Sequence, residues 1–267
     1  MMVITAKSYT NKMSGGVYTS SHLIKGSDGK HYVIKIPPKN DHRSNLNEYL
    51  GCRIGKYFGL PVLDSITIKL TKEFLELARD DLGNEVDEGE YFATLKQDRY
   101  EVDVDRIKNM DTNNIINQDD VSKFIIFDIF IDNIDRNSGN YFFIHSSLDP
   151  KKMQYILIDH GHIFGGPQHD FNGVNILPYR FEIQPWNLRC ITLKKLNNAS
   201  RYITTEFGLD VMKMYLDEAP LPWKLSYGDE NISAVKESMV KRDKDQILNV
   251  VLNNSEIHQA LNYRGIS

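Results

Sequence analysis

Hydrophobic and polar positions alternate along the first part of the chain in the way that β-strands require. Runs rich in aromatic and β-branched residues cover residues 17–24, 30–36, 66–70 and 91–95. An Asp-Gly pair at positions 28 and 29 separates the first two runs, which predicts a hairpin. The acidic residues 80–90 predict a surface loop between the last two runs. This region is therefore predicted to be rich in strands.

One prominent helix interrupts these strands. In residues 44–58 the apolar side chains recur at helical spacing, and Ser44 is the predicted N-cap. Gly59 is a suitable C-cap residue, and Pro61 then prevents the helix from continuing. The helix is predicted to be the next element after the second strand of the hairpin, which ends before Pro37 and Pro38.

After about residue 97 the pattern becomes mainly helical. Residues 121–131 are apolar nearly all round, which is typical of a deeply buried helix. Residues 141–144 and 155–158 predict two strands, and the polar turn residues between them predict an antiparallel hairpin. Residues 161–187 have little periodicity, whereas 193–216 and 232–263 predict helices. The order predicts an α+β protein with a β-rich lobe, residues 1–97, and a mainly helical lobe, residues 98–267.

Composition narrows the classes of function. The chain has 267 residues, of which 41% are hydrophobic and 25% charged, and its formal net charge is −4. The chain lacks the excess of basic residues that is typical of proteins that bind nucleic acid or a membrane surface. No run of apolar residues approaches the ~20 residues of a membrane span. Cys52 and Cys190 are the two cysteines, and the N-terminus lacks a secretory apolar region. We therefore expect a cytoplasmic protein with reduced thiols.

The second hairpin brings three polar side chains together. Asn140 precedes its first strand and Asp159 follows its second, so both lie at the same end. Asp135 lies five residues before Asn140, in the same loop. The resulting D-R-x-x-x-N and D-x-G patterns suit phosphoryl transfer, with Asp135 on the acceptor hydroxyl and Asn140 and Asp159 on Mg²⁺. Either pattern alone would equally indicate turn residues that cap a strand.

Lys35 and Glu48 form a second candidate pair. Lys35 lies on the same strand face as Val33, and an inward lysine needs an anionic partner. Gly51, Cys52 and Gly55 form a stripe of small residues beside Glu48 on the predicted helix, which allows another element to approach closely. A lysine on a strand and a glutamate on the next helix make the ion pair that positions ATP phosphates in kinases. A solvent-exposed lysine and glutamate are the alternative.

Three further sets of residues carry weaker signals. Gly15 and Gly16, with Ser20 and Ser21, suit a loop that covers phosphates, although a plain β-turn fits as well. Three histidines between residues 160 and 169 lack the Cys or carboxylate spacing of a zinc site. The basic residues between 236 and 244 predict a solvated helix face, and Trp186 and Trp223 are predicted to lie in the core.

Together these residues resemble the HipA-like branch of the kinase superfamily, which is related to phosphoinositide kinases. The resemblance covers about residues 15–161. It rests on the order and spacing of these segments: Gly-Gly at 15–16, Asp-Gly-Lys at 28–30, Val-Ile-Lys at 33–35, Asn-Glu-Tyr-Leu at 47–50, Ile-Gly-Lys-Tyr-Phe-Gly-Leu-Pro at 54–61, Asn-Ile-Asp-Arg at 133–136 with Asn140, and Ile-Asp-His-Gly at 158–161.

The resemblance implies a bilobal kinase fold that uses ATP and Mg²⁺. It implies Lys35 on the phosphates with Glu48 as its partner, Asp135 as catalytic base, and Asn140 and Asp159 on the metal. HipA-like members phosphorylate proteins on Ser or Thr, and some pair with a DNA-binding antitoxin. Asn137 departs from the family, because many relatives have His there, and the chain is shorter than full HipA toxins.

Two alternatives to a protein kinase follow from the same residues. A pseudokinase would bind nucleotide or act as a scaffold without turnover. Such degenerate proteins usually lose one of the catalytic residues, whereas this chain keeps the full set, namely Lys35, Glu48, Asp135, Asn140 and Asp159. A small-molecule or lipid kinase shares the D-R-x-x-x-N and D-x-G patterns. The lack of a basic excess counts against a lipid substrate.

Overall fold

Five strands of the N-terminal region close into a barrel in the computed structural model, which describes residues 3–13, 20–38, 41–98, 100–101, 111–167 and 183–263. Around the barrel the order is β1-β2-β3-β5-β4, and β1 closes it by pairing in parallel with β4. The strands are β1 (Val3–Lys12), β2 (Ser20–Gly26), β3 (His31–Ile36), β4 (Ser65–Leu70) and β5 (Gly89–Leu95).

The hairpin predicted around Asp28 and Gly29 is confirmed. β2 and β3 pair antiparallel from Ser20 opposite Ile36 to Lys25 opposite His31. Gly29 has a φ of +82°, which glycine adopts without strain. The Asp28 carboxylate accepts hydrogen bonds from the Tyr32 hydroxyl at 2.7 Å and from the Lys30 amide at 3.1 Å. The turn thus fixes the register of the strand that carries Lys35.

Two barrel elements were not predicted. β1 buries two apolar side chains, Ile4 and Ala6, in the barrel and packs Tyr9 against it, and its other later residues are mostly exposed. Helix α2 (Lys72–Leu82) extends into the acidic stretch predicted as a loop, which in fact begins at Gly83. Thr71 caps α2, and the helix buries four residues against the barrel: Phe74, Leu75, Ala78 and Leu82.

The predicted prominent helix is α1 (Arg43–Tyr57). The predicted N-cap was wrong, because His42 occupies the cap position and Ser44 is buried inside the helix. The chain leaves the helix at Gly59, which has a φ of +68°. Although α1 lies between barrel strands in the sequence, its buried side chains belong to the core of the helical part of the molecule.

The helical part contains one small sheet and seven helices after it among the described residues. Strands β6 (Tyr100–Glu101), β7 (Tyr141–His145) and β8 (Met153–Leu157) form an antiparallel sheet, so the second predicted hairpin is confirmed. The buried helix α3 (Val121–Phe130) precedes the hairpin. The helices that follow are α4 (Pro185–Cys190), α5 (Leu193–Glu206), α6 (Leu209–Glu218), α7 (Leu221–Tyr227), α8 (Asp229–Lys241), α9 (Lys244–Leu252) and α10 (Ser255–Tyr263).

Local caps divide the long predicted helices. The segment 193–216 breaks at Gly208, the N-cap position of α6, and α7 was not predicted. The segment 232–263 breaks at Asp243, whose carboxylate accepts hydrogen bonds from the Asp245 and Gln246 amides at the start of α9. A polar side-chain cap therefore sets the start of α9, whereas Gly208 begins α6 without a side-chain cap.

Predictions about the core were largely correct. Trp186 and Trp223 are completely buried, as are Phe124 and Phe127. The predicted solvated face near residue 240 was wrong at Arg242, which is only 7% exposed. Within the described ranges, no helix has both the length and the apolar character needed to cross a bilayer.

Candidate active site

Lys35 lies between two carboxylates that come from different parts of the chain. Its Nζ is 3.0 Å from Glu48 Oε1 and 3.0 Å from Asp159 Oδ1. β3 carries Lys35, α1 carries Glu48, and Asp159 follows β8 after Ile158. The side chains of Lys35 and Glu48 are 14% and 3% exposed, so the pair is buried rather than solvated. The cluster therefore joins the barrel to the helical part.

The charges of this cluster shift one another strongly. Burial would lower the pKa of Lys35, but the Glu48 and Asp159 carboxylates raise it above its ordinary value. Burial raises the pKa of Glu48 to about 7, since Asp159 adds to the effect and Lys35 offsets only part of it. Burial would also raise the pKa of Asp159, but Lys35 and a hydrogen bond with Glu48 hold it below its ordinary value. Two carboxyl groups thus share one ammonium group, which suits an additional cation.

Helix α1 holds the segment that follows Asp159. The His160 amide donates to Glu48 Oε2 at 2.9 Å, and Asn47 Nδ2 donates to the Gly161 carbonyl at 2.9 Å. Asp159 itself has a φ of +59°, which is uncommon for a residue with a side chain. The helix and this segment touch at Gly51, where an added Cβ would lie 2.3 Å from His160 Cβ. The small-residue stripe therefore permits the close approach that the sequence predicted.

Arg136 connects the residue before β7 to the residue after β8. It forms a fully buried ion pair with Asp128 of α3 at 2.8 Å. Its Nη1 donates to the Asn140 carbonyl at 2.6 Å and to the Ile158 carbonyl at 2.8 Å. The Ile158 amide in turn donates to the Asn140 carbonyl at 3.0 Å. Asn140 and the residue after Ile158, Asp159, therefore lie at the same end of the hairpin, as predicted.

The loop with Asp135 presents its carboxylate to solvent. Asp135 is exposed, and its Oδ1 accepts a hydrogen bond from Asn137 Nδ2 at 3.3 Å. Asn137 Nδ2 also donates to the Asp135 carbonyl at 3.0 Å, and its own Oδ1 accepts from the Gly139 amide at 2.8 Å. Asn140 Nδ2 donates to the same Asp135 carbonyl. Asn137, the residue that departs from the family pattern, thus orients Asp135.

Comparison with known proteins shows the family to which the chain belongs. Residues 7–247 match the sequence model of the HipA-like kinases. The chain belongs to the HipA-like kinase family. The resemblance inferred from the sequence is thereby confirmed, and it extends well beyond residue 161. No curated protein matches the chain in sequence.

Solved structures show the same fold at low sequence identity. The Helicobacter pylori proinflammatory kinase CtkA is 16% identical, with a TM-score of 0.61 over 98% of this chain and 99% of its own. The Golgi casein kinase is 13% identical, with a TM-score of 0.52 over 96% of this chain and 76% of its own. The same kinase with Mn/ADP bound is 14% identical, with a TM-score of 0.51 over the same shares. The predicted bilobal, kinase-like α+β fold is confirmed, and family and fold together support a phosphotransferase.

A cleft of about 260 Å³ in this HipA-like kinase contains the charged cluster. Apolar residues line it, among them Val33, Phe92 and Leu157, together with the three charged side chains of the cluster. Segment 94–97, where β5 leaves the barrel, also contributes to the lining. Such a mixture of apolar walls and a few convergent charges is typical of a small-molecule site.

The predicted phosphate loop is only partly described. Ser21 lines the cleft, whereas the Ser20 hydroxyl lies 2.9 Å from His22 Nε2. Gly15 and Gly16 lie outside the described residues, and so does His169. Among the described residues, no group of three or more His, Cys, Asp or Glu side chains could hold a metal. A site of Asn140 and Asp159 completed by phosphate oxygens would not require such a group.

Sequence reasoning assigned no role to three residues that support the site. Asn47 binds the backbone after Asp159, and Asp128 neutralises Arg136. Arg242 donates to the Ile129 and Phe130 carbonyls and pairs with Asp132. Asp128 gave a signal, because an acidic residue stood in an apolar segment. Arg242 gave none, since its partners are more than 100 positions away.

Proposed function

We propose that this HipA-like kinase transfers the γ-phosphate of ATP, with Mg²⁺, to a Ser or Thr hydroxyl of a protein. The observation that carries the proposal is the position of Lys35 Nζ, 3.0 Å from both Glu48 and Asp159. A lysine held in this way can bind phosphate oxygens while its orientation stays fixed by the buried glutamate.

The donor set fits a divalent cation and phosphates. Asp159 supplies a carboxylate whose pKa is held low, so it is ionised at neutral pH. Asn140 uses its nitrogen as a donor to the Asp135 carbonyl, which leaves its side-chain oxygen for a cation. Oxygen ligands of this kind are those that Mg²⁺ prefers. Bound ATP would supply the phosphoryl group, and Mg²⁺ would neutralise part of the negative charge of the phosphates.

Asp135 is the proposed catalytic base. Its carboxylate is exposed and oriented by Asn137, so an acceptor hydroxyl can reach it. An Asp135 carboxylate oxygen would accept the proton of the acceptor hydroxyl. The hydroxyl oxygen would then be a stronger nucleophile as it approaches the phosphorus. Lys35 would stabilise the charge on the phosphate oxygens in the buried cleft, where electrostatic effects exceed those in water.

The choice of a protein substrate rests on the family resemblance rather than on the cleft. HipA-like members phosphorylate Ser or Thr in proteins, and this chain carries the full set of residues that the resemblance names. The same resemblance supplies the expectation of an antitoxin-like partner. The antitoxin-like partner stays a prediction. So do the cytoplasmic location and the boundary between the two lobes at residues 97 and 98.

Incubation of the purified chain with ATP and Mg²⁺ tests the proposal. We expect intact-mass measurement to show added phosphoryl groups, or a cell extract to become labelled on Ser or Thr. Lys35→Met is the matched control, because methionine keeps an unbranched, flexible side chain but removes the ammonium group and its charge. Transfer only to lipid vesicles or small hydroxyl compounds would contradict the protein substrate. Binding of Mg·ATP with no transfer to any acceptor would indicate a pseudokinase.

A further inference from the structure

Helix α1 is built into the core of the helical part rather than into the barrel. Its buried side chains pack in one cluster with those of α3, α6 and α7, including Tyr49, Leu50 and Ile54. Most buried residues of the barrel and α2 form a second cluster, and Phe92 of β5 is the barrel residue that packs with the core of α1. Lys35 is therefore carried by one core, whereas Glu48 is carried by the other.

A charged contact fixes the middle of α1 to the end of α6. Arg53 forms an ion pair with Glu218, and the Tyr49 hydroxyl donates a hydrogen bond to Glu218 Oε2 at 3.2 Å. The Arg53 guanidinium also lies over the Tyr215 ring, 5.1 Å from its centroid. Glu218 thus binds two residues of α1 that lie one and five positions after Glu48.

Aromatic contacts extend the same attachment along α1. The Tyr49 ring meets Trp223 of α7 edge to face, with 6.1 Å between centroids. Near the end of α1, the Tyr57 hydroxyl donates to the Glu206 carbonyl at 2.8 Å. At the start, Asn47 donates to the Gly161 carbonyl after Asp159. The helix is therefore held to the helical part at its beginning, middle and end.

We propose that Glu218 is a positioning residue for the active site. By holding Arg53 and Tyr49, it fixes α1 so that Glu48 and Asp159 form one rigid acceptor for Lys35. Closure of the cleft is then movement of the barrel, which brings Lys35 to a preformed pair of carboxylates. The catalytic part of this inference rests on the proposed function, whereas the attachment of α1 does not.

Hydrogen exchange tests the attachment without reference to activity. In the wild type, the amides of residues 43–57 should exchange together with those of α3 and more slowly than those of β2 and β3. Glu218→Gln should accelerate exchange in α1 by about fivefold, the upper end for a half-exposed ion pair, and leave the barrel unchanged. Asp217→Asn is the matched control, because Asp217 forms its ion pair with Lys213 of its own helix rather than with α1. Exchange of α1 together with the barrel strands would overturn the inference.

A double-mutant cycle on kcat tests the positioning role. Glu218→Gln should lower kcat by up to about fivefold with little change in the KM for nucleotide, since the pair limits the energy that can be lost. The same substitution in a Glu48→Gln background should have almost no further effect, because the residue that it positions is already changed. An equal loss in both backgrounds would contradict the role of Glu218. If the wild type transfers no phosphate, the proposed function fails, while the exchange result still decides how α1 is held.

Discussion

At the scale of single residues, Asp159 determines how the site would respond to metal. Its carboxylate lies 3.0 Å from Lys35 and is ionised because the lysine lowers its pKa. Asp159→Ala should remove the dependence of ATP affinity on Mg²⁺, since the proposed site then keeps only Asn140. Calorimetry with ATP in the presence of Mg²⁺ and of a chelator measures this dependence. The same gain from Mg²⁺ in wild type and variant would remove Asp159 from the metal site.

Gly51 is the residue at which packing and chemistry meet most closely. An added Cβ would lie 2.3 Å from His160 Cβ, so α1 or the segment after Asp159 would have to move. Gly51→Ala should lower the free energy of unfolding by about 1–3 kcal/mol, as overpacking does, and should also reduce turnover. Urea unfolding and an initial-rate assay measure the two effects.

Gly89 provides the matched control for this substitution. Its added Cβ would meet no atom closer than 4.0 Å. Gly89→Ala should therefore leave turnover unchanged and stability the same or slightly higher. If Gly51→Ala behaves like Gly89→Ala, the contact between α1 and His160 is not as tight as described.

At the scale of elements, the loop before Asp135 is braced from the C-terminal helices. Arg242 pairs with Asp132 and donates to the last carbonyls of α3. Asp132 has a φ of +47°, a conformation that Asn also tolerates. Asp132→Asn should therefore keep the backbone and leave Arg242 without its charge partner, at a cost of about 1–3 kcal/mol of stability. We expect urea unfolding to change more than the rate of single-turnover transfer. A large loss of rate at unchanged stability would give Asp132 a direct role in the chemistry.

The elements differed in how well the sequence predicted them. α1 and the β2–β3 hairpin carry strong local signals, namely helical spacing, a stop at Gly59 and the Asp28-Gly29 turn. β1 was missed because it fully buries just Ile4 and Ala6 and because the barrel closes through a pairing with a distant strand. α2 was missed although its apolar residues have helical spacing, because its acidic end was interpreted as part of a loop.

At the scale of the whole molecule, the sequence predicted which polar residues come together better than it predicted the contacts that hold them. The hairpin argument placed Asn140 beside Asp159, since antiparallel pairing alone determines that proximity. The contacts of Asn47 and Arg242 join residues 110 or more positions apart, and no local pattern specifies them. Tertiary packing determines such contacts. For the same reason the sequence did not predict that α1 packs in the core of the helical part.

The barrel should respond to acid through His22. This residue is 2% exposed, and burial lowers its pKa below the ordinary value. The unfolded chain then binds a proton at a pH where the folded chain does not, so stability is full above about pH 6.5 and falls as the pH decreases. Urea unfolding should show a smaller loss from pH 7.5 to 5.5 in His22→Gln than in the wild type. Comparing the two slopes cancels the contribution of Glu48, whose raised pKa acts in the opposite direction. Parallel slopes would show that His22 is not buried in its neutral form.

Single-turnover transfer by the Asp135→Asn variant tests the central claim most directly. Asparagine keeps the shape of the side chain but removes its charge and basicity. We expect the variant to fold, to bind Mg·ATP as the wild type does, and to transfer phosphate about 10²–10⁴-fold more slowly. Equal transfer rates for wild type and Asp135→Asn, at equal Mg·ATP affinity, would contradict the assignment of this cleft and its loop as a kinase active site with Asp135 as the base.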